Sequence, residues 1–167
     1  MKPEVFWTDQ FSPSNPLPVS LDLPAEVDVA IVGSGYTGLT AARVLAKAGN
    51  SVAVMDQYKI GWGASSRNGG MATPGLKQDI LKIHKKYGMD YAREFWRSSV
   101  DAIDLLEQII IEENIDCNWS RKGHVALACK QSHYDDFPEY AAWIKREMGH
   151  EKTIVPKEEI KSEIGTD

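Results

Sequence analysis

The chain has 167 residues, 43% of them hydrophobic and 26% charged, with a formal net charge of −5. This balance describes a globular domain, or one domain and a fraction, and excludes a disordered chain. The negative charge gives no electrostatic reason to bind nucleic acid or an anionic membrane, and no apolar run approaches the roughly 18 residues of a membrane span.

The N-terminal stretch MKPEVFWTDQFSPSNPLP has neither a basic n-region nor an apolar h-region, so no signal peptide is expected. Cys117 and Cys129 lack metal-ligand spacing. They read as two reduced packing thiols of a cytoplasmic protein, with no metal expected. Residues 1–26 hold five of the eight prolines (Pro3, Pro13, Pro16, Pro18, Pro24) and read as an extended arm laid over a domain. Phe6, Trp7 and Phe11 are its candidate anchors.

Residues 27–32, VDVAIV, are β-branched and almost continuously apolar, the pattern of a parallel-sheet strand buried on both faces. Residues 37–48 follow as a helix with Leu39, Ala42, Leu45 and Ala46 on one face, and Gly49 takes the left-handed position that ends it. Residues 51–56, SVAVMD, form a second strand. The order β–α–β implies two parallel strands joined by a right-handed crossover. Residues 57–75 are too rich in glycine and serine, and too long, for an ordinary connection, which marks a functional loop.

Residues 76–87 and 88–114 read as helices separated at Gly88–Met89. The second carries Ala92, Phe95, Trp96, Val100, Ile103, Leu106 and Ile110 at steps of three and four. Residues 115–120 and 123–129 read as two strands about a turn at Arg121–Gly123. A helix over 132–148, a short strand at Thr153–Val155 and a last helix over Lys157–Ile164 complete the pass.

The phosphate-binding signature is Gly33-Ser34-Gly35-Tyr36-Thr37-Gly38. The spacing alone is weak, but here it leaves a strand, opens a helix and precedes a second strand ending in Asp56. Gly33 permits the tight turn, Gly35 lets backbone N–H groups approach a pyrophosphate, and Gly38 lets the helix pack on the sheet. The unpaired N–H groups and dipole at the helix start favour an anion. Asp56, 18 residues beyond Gly38, stands where a carboxylate accepts hydrogen bonds from a ribose diol and repels a 2′-phosphate.

The second loop, Gly61-Trp62-Gly63-Ala64-Ser65-Ser66-Arg67-Asn68-Gly69-Gly70-Met71, has four glycines in eleven residues, which allows close backbone approach to a ligand. Ser65, Ser66 and Asn68 offer hydrogen-bonding groups, and Arg67 offers charge near a phosphate or a reduced flavin.

Taken together, DVAIVGSGYTGLTAARVLAKAG, SVAVMD and GASSRNGGM resemble the FAD-dependent D-amino-acid-oxidase (DAO) superfamily, and within it the amine-oxidising, gamma-glutamylputrescine oxidase-like bacterial branch. FWTDQF is similar to the arm of that branch, and IDCNWSRKGHVALAC to the start of its substrate domain. The resemblance implies FAD as cofactor and several roles. Gly33, Gly35 and Gly38 would face the pyrophosphate, with the Tyr36 and Thr37 amides nearby. Asp56 takes the place of an acidic residue, usually Glu, that binds the adenosine ribose, and Gln57 would lie beside adenine. Ala64 and Ser65 match positions on the pyrophosphate side, while Gly69, Gly70 and Met71 match the loop passing close to the flavin. Arg67 and Asn68 match in residue type only.

The expected fold class is α/β: a Rossmann-like βαβ FAD-binding domain with a parallel sheet, a helical insertion, and the beginning of an α+β substrate domain. The expected division is an arm (1–26), the N-terminal part of the FAD domain (27–114) and an incomplete substrate domain (115–167). Members of the family are more than twice as long, so the chain reads as an N-terminal fragment that is inactive alone. The implied reaction is hydride transfer from a carbon bearing nitrogen, in an amine or amino acid, to the flavin. No catalytic residue is assigned. His84, His124, His133 and His150 are scattered and read as surface or satisfied residues. The run Lys82–Lys86 reads as a solvated helix face. Two other readings stay open. One is an NAD-binding dehydrogenase domain, which would continue with a third parallel strand soon after the second. The other is an inactive FAD-binding module.

Overall fold

A computed structural model describes residues 5–10 and 22–165. Phe11 and the prolines at 3, 13, 16 and 18 of the expected arm lie outside the described residues. The part of the arm that is described is not wholly extended, because Phe6–Gln10 forms a short helix, α1. By chain contacts the molecule divides into two compact units, Met1–Met71 and Ala72–Asp167.

In the first unit, strands β1 (Val29–Val32) and β2 (Val52–Met55) pair in parallel, in register from Val29↔Val52 to Val32↔Met55. Helix α2 (Tyr36–Lys47) joins them. Its sequence is rich in Ala and Leu, good helix formers. It ends where Gly49 adopts φ +89° and the Asn50 backbone N–H and side-chain amide both donate to the Leu45 carbonyl.

The two strands are fastened at both ends by an aspartate–serine pair. At the start, the Ser51 N–H and hydroxyl donate to Asp28 at 2.8 and 2.7 Å, and the Asp28 N–H donates to Ser51 Oγ. These bonds, the Ser51 hydroxyl first, lower the Asp28 pKa. At the far end, Ser34 donates to Asp56 in the same way.

One expectation for β1 is corrected. The strand is not buried on both faces: its residues alternate between half-buried and exposed, and Val32 is 86% exposed. Ile31 faces α2 at Gly38, while Ala30 and Val32 are open to solvent. An apolar run therefore fits a strand covered on one side as well as one covered on two.

The second unit is helical. Helix α3 (Ile80–Tyr87) begins at Asp79, whose side chain accepts from the Leu81 N–H at 2.8 Å. Gly88, at φ +92°, ends α3 and admits α4 (Met89–Glu112) directly. A short helix, α5 (Gln131–Asp135), precedes α6 (Phe137–Met148). The expected single helix over 132–148 is thus two, because Pro138 at the head of α6 cannot donate into a preceding turn. A 3-10 turn (Lys157–Glu159) and α7 (Ile160–Ile164) follow.

The core of this unit joins Ile80 and Ile83 of α3, Ala92 and Trp96 of α4 and Ile144 of α6, flanked by Val100, Tyr140, Trp143 and Met148. Ile144 is fully buried. Ile144→Val should therefore lower stability by about 0.5–1.5 kcal/mol, read as a lower midpoint of urea unfolding with an unchanged slope.

Three further expectations fail here. Residues 115–129 form no strands and are exposed almost throughout. They are tied back to α4 by side chains, with Trp119 Nε1 donating to Glu107 at 2.8 Å and Arg121 paired with Glu107 and Asp104. An isolated two-stranded hairpin is marginal in water, and these ties take its place. Thr153–Val155 is likewise not a strand. Cys117 and Cys129 are exposed free thiols rather than packing residues, since the ties of their segment to α4 run through Trp119 and Arg121. No helix among the described residues is long and apolar enough to cross a membrane.

Candidate cofactor-binding site

The first unit holds a cleft of about 330 Å³ at the C-terminal ends of the two strands. It is lined by Val32, Gly33 and Gly35 from the first loop, Asp56, Gln57 and Tyr58 after β2, and Gly61, Trp62, Gly63, Ala64 and Ser65 from the second loop. The carboxyl edge of a parallel sheet is where such folds take ligands.

Each glycine of the signature does a different job. Gly33 has φ +104°, a conformation that side-chain-bearing residues rarely adopt, and its N–H donates to the Met55 carbonyl at 2.7 Å. Gly35 is the N-cap of α2 with an ordinary φ of −77° and has no side chain to cap the helix. A Cβ on Gly35 would stand 3.0 Å from Ser65 Oγ, inside the cleft wall. Gly38 lies against the Gly33 carbonyl and Ile31, which lets α2 approach β1.

Ser34 is the organiser of the loop and was not among the expected site residues. It is 2% exposed, the one buried polar or charged residue among the described residues. Its N–H and hydroxyl donate to Asp56 Oδ2 at 2.7 and 2.6 Å, and its Oγ accepts from the Gly61 N–H at 3.2 Å. Asp56 Oδ1 accepts from the Tyr58 N–H at 2.9 Å. One serine thus joins the first loop to the end of β2 and to the second loop. It occupies a variable position of the signature, so the spacing carries no sign of it.

These bonds hold the Asp56 carboxylate ionised. The Ser34 hydroxyl, then the Tyr58 and Ser34 N–H groups, lower its pKa from 3.8 to about 2. A depressed folded-state pKa contributes stability that is present above the ordinary value and lost as pH falls through the folded value. The Ser34 and Tyr58 amides should therefore lose hydrogen-exchange protection as pH falls from about 4 towards 2. Asp56→Asn should show low protection already at neutral pH and lack that acid transition.

The second loop is knotted on itself. A 3-10 turn spans Ala64–Ser66. Asn68 Nδ2 donates to the Ala64 and Ser65 carbonyls at 3.0 and 2.9 Å, and its Oδ1 accepts from the Gly70 N–H at 2.8 Å. Arg67 Nε donates to the Trp62 carbonyl at 2.9 Å, and its guanidinium lies 4.3 Å from the centre of the Trp62 ring. Trp62 stacks on Tyr58 at 4.2 Å between centroids. Ser65 Oγ accepts from the Tyr36 N–H at 3.1 Å, which bonds this loop to the head of α2.

Of the expected site residues, Gly33, Gly35, Asp56, Gln57, Ala64 and Ser65 line the cleft. Tyr36 and Thr37 are exposed at the head of α2. Gly38 packs behind the turn. Arg67 and Asn68 brace the second loop through their own side chains, and Met71 is 78% exposed. Tyr58 and Trp62 are lining residues that sequence reasoning missed, although two aromatics beside a glycine-rich loop were a usable signal. Among the described residues no group of three or more His, Cys, Asp or Glu side chains is placed to hold a metal.

A cleft walled by glycine backbone at a helix start, with a carboxylate at the end of the second strand, fits the phosphate and ribose of a dinucleotide. Comparison with known proteins names the family. Residues 28–165 match the profile described as "DAO: FAD dependent oxidoreductase". The chain is similar to a probable oxidoreductase OrdL of Haemophilus influenzae, 33% identical over 84% of this chain and 32% of that protein. It is similar to the gamma-glutamylputrescine oxidoreductase of Escherichia coli, 42% identical over 62% of this chain and 25% of that protein. A putative Rieske 2Fe-2S iron-sulfur protein YhfW of Bacillus subtilis is 30% identical over 92% of this chain and 30% of that protein. The chain thus spans about a third or less of the length of these relatives. No solved structure gives a significant match. On the profile match over residues 28–165, the chain belongs to the DAO family of FAD-dependent oxidoreductases.

Proposed function

We propose that this chain is the cofactor-binding portion of a cytoplasmic oxidoreductase that oxidises a C–N bond of a small amine or amino acid. The observation that carries the proposal is the convergence of Gly33, Gly35, Asp56, Ala64 and Ser65 on one cleft. The similarity to a gamma-glutamylputrescine oxidoreductase supports an amine as the substrate class. Bound FAD would supply the redox step, accepting a hydride from the carbon that bears nitrogen.

The chain's own residues would bind and orient that cofactor. Gly33, Gly35 and Gly38 leave room for the pyrophosphate at the head of α2, where the Thr37 N–H points with the helix dipole. The Tyr36 N–H already donates to Ser65 Oγ, so Ser65 and Ala64 would meet the phosphates from the opposite wall. Asp56 Oδ1 accepts from the Tyr58 N–H, and the carboxylate at the cleft wall would accept from a ribose hydroxyl, with Gln57 towards adenine. Gly69, Gly70 and Met71 would pass by the flavin, with Arg67 and Asn68 holding the loop that presents them.

We assign residues 27–114 to the FAD domain and 115–167 to the start of a substrate domain, so that α3 and α4 are an insertion in the former. The 167 residues alone would bind FAD without turnover, since they span about a third or less of the length of the relatives they match.

The test is spectroscopic. The purified protein should take up FAD and become yellow, and anaerobic addition of an amine or amino acid should bleach the flavin only when the segments that complete the family fold are supplied. Saturable NAD binding with no flavin uptake would overturn the proposal.

A further inference from the structure

Helix α1 meets the second loop through Trp7. Trp7 Nε1, on α1, donates to the Asn68 carbonyl at 2.7 Å. The same indole lies over Gly70, where a Cβ would overlap Trp7 Cζ2 and stand 2.9 Å from Cη2. Gly70 has φ +67°, so glycine is required there both for its backbone and for the space the indole fills. Phe6 braces the indole edge-on, with ring centroids 4.9 Å apart.

Asn68 is the residue that knots the loop, through Ala64, Ser65 and Gly70. Ser65 in turn accepts from the Tyr36 N–H at the head of α2. A line of hydrogen bonds therefore runs from Trp7 to Asn68, 61 residues away in sequence, and on through Ser65 to the phosphate loop.

We propose that Trp7 is a positioning residue: its indole straps the Asn68–Gly70 backbone in place and so fixes the loop that meets the cofactor. The proposal rests on the assignment of residues 61–71 to the FAD site. Trp7 is not among the residues that line the cleft, and its indole bonds to Asn68 and lies over Gly70, so its effect on the cofactor passes through the second loop. A tryptophan serves this purpose because one rigid side chain supplies both a donor for a carbonyl and a flat face for a glycine.

Two readouts test this, and the first needs no cofactor. Arg67 is a trypsin site held inside the knot by its own bond to Trp62. In the FAD-free protein, Trp7→Ala should speed cleavage after Arg67, followed by mass spectrometry, by roughly five- to tenfold, because local opening becomes easier. Trp7→Phe, which keeps a ring but removes the donor, should fall between wild type and Trp7→Ala. The second readout is FAD affinity by flavin fluorescence, which should weaken by about three- to tenfold in Trp7→Ala. Wild-type cleavage at Arg67 in Trp7→Ala would overturn the strap even where FAD binds normally. Faster cleavage with an unchanged FAD dissociation constant would overturn the positioning role. Failure of the wild-type protein to bind FAD would overturn the site assignment on which it rests.

Discussion

Gly38→Ala is expected to destabilise the protein by about 3 kcal/mol or more and to abolish FAD retention. A Cβ at Gly38 would overlap the Gly33 carbonyl oxygen, stand 3.1 Å from the Gly33 carbonyl carbon and 3.4 Å from Ile31 Cγ2. The obstacle is backbone, not the far end of a flexible side chain. That backbone has little freedom to retreat, because the Gly33 N–H is bonded to the Met55 carbonyl and Ser34 is bonded twice to Asp56. Helix α2 would have to ride away from β1, opening the turn that forms one wall of the cleft. The sign makes the experiment decisive. At an unconstrained helical site, glycine to alanine stabilises by about 0.5–1 kcal/mol through helix propensity and a less disordered unfolded chain. A lower urea midpoint together with lost flavin is the expected result. A midpoint equal to or above that of the wild type would mean that α2 does not need this approach to the strand.

The parts of the fold that follow from chain-local chemistry were legible in the sequence. Residues 29–32, 36–47 and 52–55 form the expected β–α–β unit to within two residues at each boundary, because β-branched runs, an alanine-rich segment and Gly49 each act over a few residues. The cleft residues of the glycine signature were legible for the same reason. What was not legible depends on partners far away in sequence. Whether VDVAIV is covered on one face or two is decided by what packs on it, and Val32 is open. Residues 115–129 have strand-like composition, yet their ties run through Trp119 and Arg121 to Glu107, a side-chain network with no periodic signature. Ser34 escaped notice because any small residue satisfies the spacing, and only its burial against Asp56 and Gly61 marks it out. Trp7 was legible as an anchor but not as to what it anchors, since Asn68 and Gly70 come within its reach only after the loop has folded.

Gly35→Asp separates binding from folding, which Gly38→Ala cannot do. Gly35 has an ordinary φ of −77°, so a side chain there brings no backbone strain. As the N-cap of α2 it is at a position where aspartate is among the preferred residues, accepting from the first N–H groups of the helix and complementing the dipole. Its Cβ would stand 3.0 Å from Ser65 Oγ, a contact that a small shift of the serine relieves. The folded chain should therefore keep its stability or gain a few tenths of a kcal/mol. The cofactor fares differently. The new carboxylate would enter the cleft beside Gly33 and across from Ala64 and Ser65, where the pyrophosphate is expected. Like charges brought together in a binding site cost several kcal/mol, and the N–H groups meant for the phosphates would be occupied by the aspartate. FAD affinity should fall by roughly 100-fold or more, since each 1.4 kcal/mol is a factor of ten. Titration followed by flavin fluorescence, alongside urea unfolding of the FAD-free protein, reads both quantities. An unchanged dissociation constant would move the pyrophosphate away from the head of α2. Lost binding accompanied by a large drop in stability would mean that Gly35, like Gly38, is needed for the fold itself.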